Sequence, residues 1–258
     1  MPKSAIQVID RAARLLDLIA ASDSSLALKV LAIDAGLHPS SAFRILASLA
    51  THGYVERDDA GRYQLGRRLL QLGGRVQAQV SLREDARPMM EALRDALQET
   101  INLAVRDGNE VVYIERAVAN KRMMRVEQVI GSRAPLHVTA VGKLFLGEES
   151  ERGFEAYVRD TGLEAFTPHT ITRGDALRAQ CLDSVEQGCA SDDEEAEPGV
   201  SCVAVPVRDH TGRIVAALSV SAPTSRHQDG WIGHLRDAGR ELSNRLGYYG
   251  VVEAANDQ

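Results

Sequence analysis

Three early segments carry apolar residues at helical spacing, separated by short turn-like gaps. Ile9, Ala13, Leu16 and Ala20 predict a first helix that ends near Ala21 in the cluster Ser22 to Ser25. A shorter helix is predicted over Lys29 to Ala35, closed by Gly36. The next starts at Pro39, where a proline's missing amide would have no helical partner anyway, and runs to His52 before Gly53. This helix has a polar stripe of Ser40, Arg44, Ser48 and Thr51 opposite an apolar stripe of Ala42, Ile45, Leu46 and Leu49, so one side can pack while the other meets a DNA groove. Tyr54 to Arg57 and Arg62 to Leu65 predict strands around Asp58 to Gly61, with Arg57 opposite Arg62, a like-charge pair that implies an anion nearby. Helix, turn, helix and hairpin in that order predict a winged helix-turn-helix, with Tyr54 and Tyr63 packing on the wing.

Beyond Leu65 the pattern stays helical to Thr100, interrupted by Gly73, Gly74 and Pro88, and predicts a connecting helix followed by the first helix of a second domain. Strands are then predicted at Ile101 to Arg106, Glu110 to Ala117 and Met123 to Gln128. Helices follow at Ala140 to Leu146, Glu148 to Thr161 and Arg173 to Gln187, then a hairpin over Cys202 to Ser221 and a last helix over Trp231 to Leu246. Hairpins mixed with helices predict α+β with an antiparallel sheet. The expected division is 1–66 for the winged domain, 67–85 for the linker helix, 86–250 for the second domain and 251–258 for a tail.

Charge sharpens this division. Residues 1–75 hold ten Lys and Arg against seven Asp and Glu, a net of +3, while the remainder holds twenty against twenty-nine, a net of −9. A basic head on an acidic body suits a double-stranded DNA partner for the head alone. No apolar run is long enough for a membrane span, and the charged first helix is no signal-peptide core, so a cytoplasmic protein is expected. Three cysteines, Cys181, Cys189 and Cys202, are too few for a disulfide framework and lack metal-ligand spacing; neither metal nor cofactor is expected.

In the head, Arg44 can meet a phosphate or a guanine edge, Ser40 and Ser41 can donate to phosphates near the helix start, and Arg57 and Arg62 can reach the backbone from the wing. In the body, with the last hairpin's loop at Asp209 to Gly212, Cys202 falls opposite Ser219 and Ser221 shares their face. Those polar groups either bond back to the sheet or face a ligand, since unpaired buried hydroxyls are costly. Thr139 is suited to cap a helix whose first amides, at Ala140, Val141 and Gly142, would attract a carboxylate. Asp192 leads an acidic run, DDEEAE, that reads either as an acceptor for the ligand or as a surface loop. Catalysis finds little support: Cys202 has no basic partner in sequence, Ser219 and Ser221 lie mid-strand, and His137 stands alone beside a helix start.

Segments RAARLLDLIA, AGLHPSSAFRILASLATHGYVERD and GRYQLGRRLLQLG in the head, with NLAVRDGNEVVYIER, GSRAPLHVTAVGKLFL and DDEEAEPGVSCVAVPVRDHTGRIVAALSVSAPTSR in the body, resemble the IclR family of bacterial transcriptional regulators. The resemblance covers nearly the whole chain. It implies a GAF-like or profilin-like second domain, a homodimer or homotetramer on operator DNA, and a small organic acid as effector. It places that acid at Ala140, Val141, Asp192, Cys202, Ser219 and Ser221, three of which the hairpin count reaches separately. Lys29 stands where relatives commonly have a capping Ser or Thr, Pro39 where many have Lys or Arg, and Val141 adds bulk beside the ligand. An alternative on the same scaffold is a thiol sensor using Cys202, with Cys189 or Cys181 resolving; an enzyme acting on a small acid ranks lower. Met123 and Met124 suggest a pocket adaptable to aromatic acids.

Overall fold

A computed structural model describes residues 6–77, 81–119, 129–228 and 230–249, and divides the chain into two compact units, 1–80 and 81–258. The expected strand over Met123 to Gln128, the methionines in it and the tail from 251 lie outside the described residues.

The first unit orders helices α1 (Gln7–Ala20), α2 (Leu28–Asp34) and α3 (Pro39–Thr51), strands β1 (Val55–Arg57) and β2 (Tyr63–Leu65), and helix α4 (Arg68–Gln77). Its core gathers Leu15, Ile19, Leu31, Ala35, Leu46, Val55 and Tyr63. The predicted stripe of α1 is not the buried one: Ile9, Ala13 and Ala20 face outward, and Leu15 and Ile19 carry the packing. Two apolar faces compete on that helix, and the one with the larger side chains nearer its C-terminal half reaches the core. The cap position of α2 is Ala27 rather than Lys29, and no side chain bonds there. Helix α4 continues through Gly73 and Gly74, where the sequence suggested a break.

In the second unit, α5 (Leu82–Leu97) runs uninterrupted through Pro88. Strands β3 (Thr100–Asp107), β4 (Glu110–Ala117) and β5 (Arg133–Pro135) follow, then helices α6 (Ala140–Gly147), α7 (Glu151–Thr161) and α8 (Gly174–Gln187). Strands β6 (Ala190–Asp193), β7 (Val200–Arg208) and β8 (Ile214–Pro223) precede α9 (Trp231–Arg245). The strands form one antiparallel sheet in the order β5-β4-β3-β8-β7-β6. The fold is therefore α+β as predicted. Sequence reading missed β5 and β6; the latter is built from the start of the acidic run.

Alternation along the strands gives the sheet two buried faces. One, with Val203, Val205, Leu218 and Val220, packs on α5 and α9; the other, with Ala104, Ala204 and Ala217, packs on α6 to α8. Pairing in the β7–β8 hairpin differs from the count: Cys202 lies opposite Ser221, and Ser219 opposite Ala204. The loop begins one residue off the assumed frame, and a bulge between Val207 and Arg208 adds another. Two single-residue slips restore the side-chain parity, so Cys202, Ser219 and Ser221 keep their common face. No described helix is long and apolar enough to cross a membrane.

Candidate effector pocket and DNA-facing helix

Across the inner face of the sheet the alanines give way to polar side chains. Asp192 pairs with Cys202, Cys202 with Ser221, Ser221 with Thr100, and Ser219 with Asn102, so all six project from the same face. Asn102 is 1% exposed; Ser219 and Ser221 are each 2% and Asp192 3%. The Asn102 amide donates to Ser221 Oγ at 3.1 Å, and the Cys202 thiol donates to the same oxygen at 3.2 Å. Asn102 Oδ1 is buried without a partner. Asn102 was missed in the sequence; a single amide within the apolar run INLAV was the available signal.

Helix α6 starts against this face, with Ala140 and Val141 buried in the same cluster as Ala104, Ala204 and Ala217. Thr139 caps it as predicted, accepting from the Gly142 amide at 3.0 Å. Of the three amides expected to be open, Gly142's is thus taken, while those of Ala140 and Val141 have no acceptor within the helix. A Cβ on Gly142 would lie 2.1 Å from the Leu136 carbonyl oxygen, which is why the turn can fold so tightly under α6.

Below the first turn lies a feature the sequence reading did not find. Lys143 is fully buried and donates from Nζ to the Ser191 carbonyl at 2.8 Å and to Glu195 Oε1 at 2.5 Å. Glu195 in turn donates its amide to Asp192 Oδ1 at 2.8 Å. A lone cation in the apolar helix AVGKLFLG was the signal, because a buried ammonium needs an anion. The acidic run therefore divides: Asp192 and Glu195 face inward and Asp193 outward, correcting the surface-loop alternative.

Burial, joined by the nearby Glu195 carboxylate, pushes Asp192 up to about 6, while Lys143 and the amides of Glu195 and Ala196 act against it. Burial and the Asp192 carboxylate push the Cys202 thiol up to about 12, so the reactive thiolate that a redox sensor needs is disfavoured. His137 is structural: its ring bonds the Tyr157 hydroxyl at 2.8 Å and the Glu164 carbonyl at 3.0 Å, and burial lowers its pKa. The carbonyl can only accept, so Nε2 carries the proton and Tyr157 donates to Nδ1. Among the described residues no group of three or more His, Cys, Asp or Glu converges as metal ligands.

A pH signature follows from Asp192. Raised from 3.8 to about 6, its contribution to stability is complete below 3.8 and is lost as pH rises through 6. Asn at this position does not titrate and can still accept from the Glu195 amide. Asp192→Asn is expected to gain on the wild type by about 1 kcal/mol more at pH 7.5 than at pH 5. Urea unfolding followed by Trp231 fluorescence checks this; an identical difference at both pH values would refute it.

In the first unit, α3 buries Ala42 and Leu46 and exposes Ser40, Arg44, Ser48 and Thr51. Ser41 is half-buried. His38, unnoticed in the sequence, caps the helix: its Nδ1 accepts the Ser40 amide at 3.4 Å and lies 2.8 Å from Ser40 Oγ. The wing register also differs from expectation, because Arg57 lies opposite Tyr63. Arg62 turns back to Asp58 at 2.9 Å, so the predicted like-charge pair does not form. Hydrogen bonds from the Ser25 hydroxyl and the Arg62 amide hold the Asp58 carboxyl down at about 2, and it organises the wing tip. Arg57 stacks on Tyr63, with Cζ 4.6 Å from the ring centre, and lies 5.7 Å from that of Phe43.

Two family models match in succession along this architecture: the IclR helix-turn-helix domain over residues 8–59, and the bacterial transcriptional regulator IclR C-terminal domain over residues 75–244. The chain belongs to the IclR family. It is 36% identical over 248 residues to the HTH-type transcriptional regulator XynR of Escherichia coli K12, covering 94% of this chain and 98% of the relative. The HTH-type transcriptional repressor AllR of the same strain is 31% identical over 246 residues, with 93% and 90% covered. The crystal structure of an IclR transcriptional regulator from Silicibacter sp. TM1040 superposes with a TM-score of 0.83 at 26% identity, covering 93% of this chain and 96% of that one. This IclR-family chain is a DNA-binding transcriptional regulator, from a family of regulators rather than enzymes.

Proposed function

We propose that this regulator works in the cytoplasm as a homodimer or homotetramer on a palindromic operator, and that a small organic acid bound in its second unit controls its DNA affinity. The carboxylate lies on the amides of Ala140 and Val141, where the α6 dipole favours negative charge. Asp192, Cys202, Ser219 and Ser221 hold the polar remainder. The observation that carries this reading is the gathering of six polar side chains on one sheet face beneath a helix start, five of them buried and Cys202 half-buried, with Asn102 Oδ1 unpartnered among them. A core alone would use Ala or Val there, since each unmet buried polar group costs about 1–3 kcal/mol. Residues 67–85 carry the ligand state to the DNA-binding unit. Bound acid is expected to change operator affinity by shifting the relative placement of the paired DNA-binding units.

On the DNA side, α3 enters the major groove with Ser40, Ser41, Arg44 and Ser48, and the wing arginines Arg57 and Arg62 follow the backbone. The test is reciprocal and uses the full chain with an operator found by in vitro selection. Arg44→Ala is expected to lose specific DNA binding while keeping the thermal shift given by whichever of pyruvate, lactate and benzoate stabilises the wild type. At one hundred times the dissociation constant that stabilisation is about 2.7 kcal/mol. Ser219→Ala with Ser221→Ala is expected to keep basal operator binding and lose the shift and the response. An unchanged response in the double variant places the acid elsewhere.

A further inference from the structure

Phe43 is 45% exposed on the recognition helix α3 and takes no part in the core of its unit. At roughly 100° per residue it lies about 60° round α3 from buried Leu46, on the flank where the packed side meets the exposed side, one turn before the exposed Ala47. An exposed apolar pair, i and i+4, therefore borders the polar surface of Ser40, Arg44, Ser48 and Thr51 along one edge. The ring is held rather than loose. The Arg57 guanidinium lies beside it at 5.7 Å from its centre, stacks at 4.6 Å on buried Tyr63, and bonds the Tyr63 hydroxyl. Arg57 thus braces the ring from the wing.

In the major groove almost every base edge presents hydrogen-bond donors or acceptors, and the apolar exception is the thymine 5-methyl group. A braced, outward phenyl ring matches that methyl and nothing else on the groove floor. We propose that Phe43 is a specificity-determining residue that reads a thymine methyl in each half-site, with Arg57 as its positioning residue. This rests on the reading that α3 enters the major groove.

The experiment replaces each thymine of the selected operator with deoxyuridine, one position at a time. That change removes the methyl and leaves base pairing intact. For the wild-type full chain, one position per half-site is expected to weaken binding about fourfold, the value of one buried carbon group. Phe43→Ala is expected to bind dT and dU equally at that position, Phe43→Leu to keep the difference, and Arg57→Gln to shrink it. The inference is overturned if no thymine is sensitive, if Phe43→Ala keeps the full dT over dU ratio, or if that variant changes oligomeric state and leaves the ratio alone. Arg44→Ala separates the two levels. If it binds operator normally, the groove assignment itself fails; if it loses binding while dU is silent, only the role of Phe43 fails.

Discussion

Lys143→Ala is expected to lower the stability of the second unit by about 3–5 kcal/mol, the usual cost of leaving one member of a buried ion pair alone. The Lys143 side chain is fully buried, and its partner Glu195 is 5% exposed with Oε2 already lacking a hydrogen bond. Removing the ammonium strands that carboxylate and also orphans the Ser191 carbonyl. The damage spreads to the ligand face, because Glu195 and Ser191 flank Asp192. Lys143→Met combined with Glu195→Gln removes both charges at similar volume and is expected to recover more than half of the loss. Trp231 is the chain's single tryptophan and is buried in this unit, so its fluorescence in urea isolates the relevant transition. A loss below about 1 kcal/mol in Lys143→Ala would show that the pair contributes little.

Gly142→Ala is expected to be comparably severe, at about 3 kcal/mol or more, for a steric reason. Its Cβ would fall 2.1 Å from the Leu136 carbonyl oxygen and 2.3 Å from the Leu136 Cα, both backbone atoms that cannot swing aside. The turn over Leu136 to Val138 would have to move, and with it the amides of Ala140 and Val141. Loss of stability should therefore come with loss of acid binding. Gly233→Ala in α9 is the control: its added methyl meets nothing within 4 Å and the site is helical, so that variant is expected to be as stable as the wild type or up to about 1 kcal/mol more. Equal effects of the two substitutions on the urea midpoint would refute the clash.

Much of the head was readable because its information is local. The two stripes of α3, its first-turn proline and the glycine after it lie within one short segment, and the structure keeps them. What failed there depended on contacts from elsewhere: which face of α1 meets the core, and whether Arg57 faces Arg62 or Tyr63. The turn chemistry of Asp58, bonding its own neighbours and Ser25, draws Arg62 out of the ladder.

The body was readable in half. Strand alternation alone put Cys202, Ser219 and Ser221 on one face, and this survived an error in register because two slips of one residue preserve parity. Asn102 is bound to Ser221 across 119 positions of sequence, and no local pattern shows that β3 lies between β4 and β8. Lys143 and Glu195 are 52 positions apart; their pairing exists only once α6 covers the end of β6.

By itself, then, the sequence determined periodicity, parity and punctuation: which segments form helices or strands, which side chains share a face, where a helix is capped. Those properties follow from backbone geometry over a few residues. Tertiary structure alone decided strand order, which of two apolar faces is buried, and which charges meet inside, because burial and pairing are set by residues distant along the chain. The braced ring of Phe43 and the buried Lys143–Glu195 pair both belong to that second kind.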